Sequence, residues 1–363
     1  MHQACTRPRA LRKRLLRAVS PYSFTTGHCD TFHYKQNHSR KQLLPRATHL
    51  QIVSLMGLSN SLFQRRALND SSVKPRRGGS YKVKDRPAGD KKFPDVAAEL
   101  KSRIQRLYTQ YLTADGTGVD YKGIESSQEF EDYLEATHQL AKVDQSYLME
   151  MEREEKIAFF INIYNALTIH SNIVCGHPKT SLARIKLNAE ACYNIGGLLF
   201  SLSEIENGIL RANSSFLVFG PPFSNKKNDP RLQIALPEPE RRAHFALNCS
   251  ARSCPPILYF TKDNLEFGLS SATANFLEDD ENLLIAKDEN MVRVSMIFKW
   301  YKKDFAQNLK DEEVLKWIAA NMDQDSEKRM QLLKMLDKGE APGGRKIKLK
   351  HLPYNWDLNE VTE

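Results

Sequence analysis

Apolar side chains first fall into a sustained rhythm near Val96. Ala97, Leu100, Ile104, Leu107 and Tyr111 recur at three- and four-residue steps, the stripe of a helix that packs along one face. A second helix is predicted from Ser126, where Glu129 three residues on completes a capping box; it carries Phe130, Tyr133, Leu134 and Leu140. A third is predicted over residues 146–175, stopped by Gly176 and Pro178. Its first half is acidic and amphipathic through Glu150, Glu152, Glu154 and Glu155. Its second half, IAFFINIYNALTIH, is apolar nearly all round and belongs in the core.

The period then shortens. Residues 193–202 read as a hairpin turning at Gly196-Gly197, and Ser203 with Glu206 opens a small capped helix that ends near Arg211. After a Pro/Asn-rich loop to Arg231, Leu232, Ile234 and Leu236 alternate as a strand. Residues 243–248 look like its partner and 257–260 like a third strand. A helix over 262–277 and a strand over 291–295 follow. Further helices are predicted at 297–305, 312–322 and 327–338, with a last strand around Ile347 and Leu349. Helices flank strands without βαβ regularity. That predicts one α+β domain over residues 96–359, built on a small, mostly antiparallel sheet.

Charge divides the chain more sharply than it describes the whole. Residues 1–92 hold 20 Lys+Arg against 4 Asp+Glu, a net of +16, while the remainder holds 33 against 40, a net of −7. The basic excess therefore belongs to the leader, and no nucleic-acid partner is expected for the folded body. The leader shows no sustained period and is rich in Arg, Lys, Ser, His and Gln, a composition that predicts disorder. Within it, Leu11, Leu15 and Val19 recur beside Arg12, Lys13, Arg14 and Arg17, with no acidic residue before Asp30. That is the amphipathic pattern of a mitochondrial targeting peptide, and a solvated basic tail would read the same way. No run approaches the roughly 18 apolar residues of a membrane helix, and no apolar signal core precedes the body. An intracellular, cytoplasmic protein that is not secreted is the expectation, with its six cysteines reduced.

The densest reactive chemistry is AHFALNCSARSCPP, which places His244, Cys249, Ser250, Arg252, Ser253 and Cys254 in one predicted strand and the loop after it. A thiol nucleophile with His244 as its base is one reading. Strand alternation would put Cys249 on the face opposite His244, so Cys254, free to fold back from the loop, is the preferred nucleophile. Buried structural thiols with a packed histidine account for the same residues. H-x4-C-x4-C could also ligate zinc, though the spacing is unusual and lacks a fourth ligand. Alternatively, the two thiols could close a small redox disulfide. On the apolar helix, Asn162 and Asn165 share a face. They would tie down neighbouring loops, or Asn165 would orient a histidine as in papain-type sites. In the C-terminal YNWDLN, Asp357 would cap a turn or serve as the acidic member of a site with His244. P-loop, G-x-G-x-x-G, G-x-S-x-G and H-E-x-x-H motifs are absent, so no cofactor or resident metal is expected.

Taken in order, EKIAFFINIYNALTIH, YNIGGLLFSLSEIENGILR, DPRLQIALPEPERRAHFALNCSARSCPP, IFKWYKKDF and LPYNWDLN resemble domain-of-unknown-function family 547 over roughly residues 126–359. The resemblance is carried by Asn162, Asn165, Gly197, Glu206, Arg211, Asp229, Arg231, His244, Cys249, Cys254, Trp356 and Asp357. Plant members of that family place the domain behind a leucine zipper, and some animal members behind glutaredoxin-like and DEP modules. The leader here has neither heptads nor C-x-x-C. The resemblance implies domain boundaries but no reaction. Two classes of function follow: a cysteine-dependent hydrolase or transferase, or a non-catalytic adaptor that binds a protein partner.

Overall fold

The computed structural model describes residues 65–70, 92–216, 219–224, 228–286, 288–340 and 344–361. The targeting pattern and most of the basic leader lie outside the described residues. The part that is described, Arg65 to Asp70, is ordered: strand β1 (Arg66–Ala67) joins a sheet, and Leu68 is buried.

The fold is α+β. Helix α1 (Phe93–Tyr111) opens at Pro94 and buries Val96, Leu100, Ile104 and Leu107 against α3 (Gln128–Leu140). The short α2 (Tyr121–Glu125) lies between them in sequence. Ser127, one residue later than the sequence pattern indicates, caps α3 by accepting from the Phe130 N–H at 3.1 Å. The long helix predicted over 146–175 is two helices, α4 (Ser146–Glu150) and α5 (Arg153–Cys175), broken where Glu152 is extended. The break places Glu154 and Glu155 in the first turn of a new helix, where the dipole favours them. Gly176, at φ +79°, ends α5.

Among the described residues α5 is the one helix long and apolar enough to cross a membrane. Because 89% of its apolar window is buried inside the protein, it is the central core helix. Helix α6 (Ser181–Glu190), which buries no side chain and left no clear stripe in the sequence, leads into β2 (Ala191–Ile195). β2 pairs in parallel with β1 and antiparallel with β3 (Leu198–Ser201), across a turn in which Gly196 and Gly197 have φ of +61° and +81°.

Three predicted strands are corrected. Residues around 232–236 and 243–248 form 3₁₀ turns, Pro230–Gln233 and Arg241–Phe245, and 257–260 has no regular secondary structure and joins no ladder. The alternation of apolar residues reported real burial, of Ile234, Leu236, Ala243 and Phe245. Prolines 230, 237 and 239 remove ladder donors, while the Asp229 and Glu240 carboxylates accept from the Arg231 and Arg242 N–H groups and wind the chain locally. At Phe260, the Asn162 side chain takes both backbone groups that a neighbouring strand would have used. The predicted helix after β3 is a π-helix, Glu204–Leu210, with all seven residues buried.

Helix α7 (Leu265–Glu278) leads to a second sheet of β4 (Leu283–Ala286), β5 (Met291–Val294) and β6 (Lys348–His351), in which β5 is antiparallel to β4 and parallel to β6. Between β5 and β6 run α8 (Ile297–Trp300), α9 (Lys302–Phe305), α10 (Asp311–Asn321) and α11 (Glu327–Glu340). Two apolar cores result, one around α5 and one around α7, α10 and the second sheet. Ala243, Ala246 and Leu247 belong to the first, whereas Phe245 belongs to the second. The segment that leads to the cysteines therefore lies along the seam between the two cores.

Candidate functional site

The loop from Asn248 to Cys254 is held by α5, by its own Asn248 and by the C-terminal tail. From α5, Asn165 donates to Ala246 O (2.9 Å) and accepts from the Asn248 N–H (2.8 Å), so one buried amide completes two backbone groups at the loop's entrance. Asn248 in turn donates to Pro255 O at 2.7 Å and accepts from the Ser250 N–H at 2.8 Å. Ser250 is left-handed, at φ +66°, and Asn172 donates to its Oγ at 2.8 Å. The C-terminal tail lies along the far side. There Arg252 N–H donates to Asp357 O (2.9 Å) and Asn355 N–H to Ser253 Oγ (2.8 Å).

This scaffold puts the two thiols together. Cys249 Sγ and Cys254 Sγ are 2.9 Å apart, and both residues are half-buried. Cys254 Sγ also receives the Cys249 N–H and stands 3.2 Å from the Tyr354 hydroxyl. Burial pushes the Cys254 thiol up, but the hydrogen bonds from Cys249, Tyr354 and the loop backbone outweigh it and bring the group to about 7. The hydrogen bond to Cys254, then burial, hold the Cys249 thiol well above its ordinary value. Beside the pair, Tyr354, Trp300 and Trp356 form a half-exposed aromatic cluster with centroids 4.6–5.3 Å apart, and Arg184 lies over Trp356 while donating to Cys249 O.

His244 is placed otherwise than strand alternation implies, because its backbone is a 3₁₀ turn. No hydrogen bond joins it to either thiol among the described residues. Its Nε2 lies 2.8 Å from Asp304 Oδ2, and since a carboxylate only accepts, that nitrogen carries the proton. Arg211 completes a fork on the same carboxylate, at 2.5 and 2.8 Å. Tyr301 lies between them, its ring 4.1 Å from His244 and 4.8 Å from the Arg211 guanidinium, and it donates to Glu206 from the π-helix. Glu206 also accepts from Tyr164 at 3.4 Å, and its charge helps to keep the Cys249 thiol protonated. The Asp357 side chain is exposed, so Asp304 is the carboxylate that meets His244.

Asn165, Cys249 and Cys254 thus belong to one loop assembly. His244 stands in a neighbouring buried polar cluster, and Asp357 contributes main chain. Sequence reasoning missed Asp304 and Tyr301, both in IFKWYKKDF, and Tyr354 in LPYNWDLN. Those runs marked the segments, but separations of 60 and 93 residues from His244 and Arg211 hid the pairing. For the zinc reading, no group of three or more His, Cys, Asp or Glu stands close enough to hold a metal among the described residues.

The family model described as "Protein of unknown function, DUF547" matches residues 148–277. That stretch holds α5, the π-helix, His244 and both thiols, and it ends before Tyr301, Asp304 and Tyr354. Neither the curated proteins nor the solved structures contain a match to the chain.

Proposed function

We propose that this chain, whose residues 148–277 match the DUF547 family model, is a cysteine-dependent enzyme of the hydrolase or transferase class with Cys254 as its nucleophile. The observation that carries the reading is the setting of Cys254 Sγ. It is half-buried, 3.2 Å from both the Tyr354 hydroxyl and the Cys249 N–H, and its acidity is brought to about 7. A thiol of that acidity is substantially ionised at neutral pH and needs no adjacent imidazole to take its proton. His244, bonded to Asp304, is then a residue of the neighbouring buried cluster that packs against the Tyr301 ring. In the reaction the Cys254 thiolate, its proton already released to solvent, bonds to an acyl carbon, the bond to the leaving group breaks, and that group departs with a proton taken from solvent. Water or a second nucleophile then releases the acyl group from sulfur, which makes the enzyme a hydrolase or a transferase.

The test is iodoacetamide labelling of the folded, fully reduced protein across pH, read at each cysteine by mass spectrometry. Cys254 should label with a midpoint near 7, against about 8.5 for an ordinary thiol. Labelling that waits for denaturant, or a midpoint at the ordinary value, overturns the reading and leaves the adaptor role standing.

A further inference from the structure

We propose that Cys249 and Cys254 are a reversible oxidation site whose disulfide switches the nucleophile off. The inference rests on Cys254 being the reactive thiol, and it adds what the second thiol does. The two sulfurs already stand 2.9 Å apart, against about 2.05 Å in a disulfide, so the two thiols are within reach of each other for bond formation. Both ends of the loop are fixed to other elements, Cys249 O by Arg184 and the Arg252 and Ser253 N–H groups by the tail. Oxidation is therefore directed to this partner. Cys192, by contrast, is fully buried and its thiol is pushed up to about 12, out of reach of an oxidant in solution.

The chemistry balances with a hydroperoxide as the oxidant. Cys254 thiolate attacks the terminal peroxide oxygen, the O–O bond breaks, and Cys254 becomes a sulfenic acid while the alkoxide (hydroxide, for hydrogen peroxide) leaves and takes a proton from solvent. Cys249, which keeps its proton in the reduced site, then bonds to the Cys254 sulfur. The S–O bond breaks and the hydroxyl departs with the Cys249 proton as water. Two thiols are oxidised by two electrons, and one hydroperoxide is reduced to an alcohol and a water, or to two waters if it is hydrogen peroxide. A dithiol reductant returns both hydrogens and frees Cys254. Without Cys249 the resolving thiol is lost, and the sulfenic sulfur attacks a second hydroperoxide, whose O–O bond breaks to release an alcohol or water, giving the sulfinic acid, which a dithiol does not reverse.

The full chain should be exposed to hydrogen peroxide, digested without reduction and mapped by mass spectrometry, with Cys254 labelling measured before oxidation, after it, and after dithiothreitol. The expected result is a Cys249–Cys254 cross-link, loss of at least nine-tenths of Cys254 labelling, and its return with dithiothreitol. In Cys249→Ser, the same treatment should give sulfinic acid at Cys254 and no return. Wild-type Cys254 that oxidises to sulfinic acid, or links to another cysteine, overturns the switch. That failure differs from failure of the nucleophile reading, in which Cys254 does not label even in the reduced, folded protein.

Discussion

His244 Nε2 lies 2.8 Å from Asp304 Oδ2, and the two side chains are almost wholly removed from solvent. The same carboxylate carries the Arg211 fork, so one acid satisfies donors from two distant parts of the chain. Burial would raise Asp304, but Arg211 and His244 outweigh it and hold the carboxyl well below the usual carboxylate range. Its contribution to stability is complete above about pH 4, the ordinary Asp value, and is lost as pH falls below that. Asp304→Ala would leave a buried guanidinium uncompensated and should destabilise the protein by roughly 3–5 kcal/mol in urea melts. A loss under about 1 kcal/mol would mean that water reaches Arg211 and the cluster is not closed.

His170 gives a second pH dependence, of separate origin. Its ring packs edge-on to Phe130 at 5.5 Å, and its Nδ1 lies 2.9 Å from the Tyr193 hydroxyl. Burial, with smaller contributions from His138 and Arg66, pushes the imidazole down to about 3. The unfolded chain takes up this proton below about 6.5, whereas the folded chain does not. Stability is therefore full above that pH and falls by up to about 1.4 kcal/mol per unit as pH drops. The His170 ring resonances should show no titration between pH 5 and 8 by NMR. A midpoint near 6.5 would refute the burial.

Asn165 holds the entrance of the cysteine loop through Ala246 O and Asn248 N–H. In Asn165→Ala two buried backbone groups lose their partner, at roughly 1–3 kcal/mol. The Asn248 amide should exchange its hydrogen far faster, while amides in the second sheet keep their protection. Equal loosening throughout would make Asn165 a general core residue rather than the clasp of this loop.

What was legible in the sequence follows from what burial alone encodes. The unbroken apolar face of α5 announced a core helix, and the two asparagines on it announced amides with work to do on backbone. Phe245 and Ile234 were legible as buried but not as 3₁₀ residues, because alternating burial looks the same whether the partner is a strand or a capping carboxylate. The candidate thiols were visible as a cluster five residues apart. Asp304, 60 residues from His244, and Tyr354, 100 residues from Cys254, were not, since nothing local distinguishes a distant partner from any other surface-compatible polar residue.

Tyr354→Phe separates the acidity of Cys254 from the packing around it. The substitution removes the hydroxyl 3.2 Å from the thiol but keeps a ring to lie against Trp300 and Trp356, at 5.0 and 4.6 Å. A hydrogen bond to a charged group is worth roughly 1.5–3 kcal/mol, equivalent to about one to two pH units. The midpoint for Cys254 labelling should therefore move up by that amount from about 7, toward that of an ordinary thiol. The near-UV circular dichroism of the aromatic cluster should persist, and the Cys249 N–H still reaches the sulfur, so labelling should slow at neutral pH without being abolished. An unmoved midpoint would assign the acidity to Cys249 and the loop backbone alone, and Tyr354 would then be a packing residue of the tail.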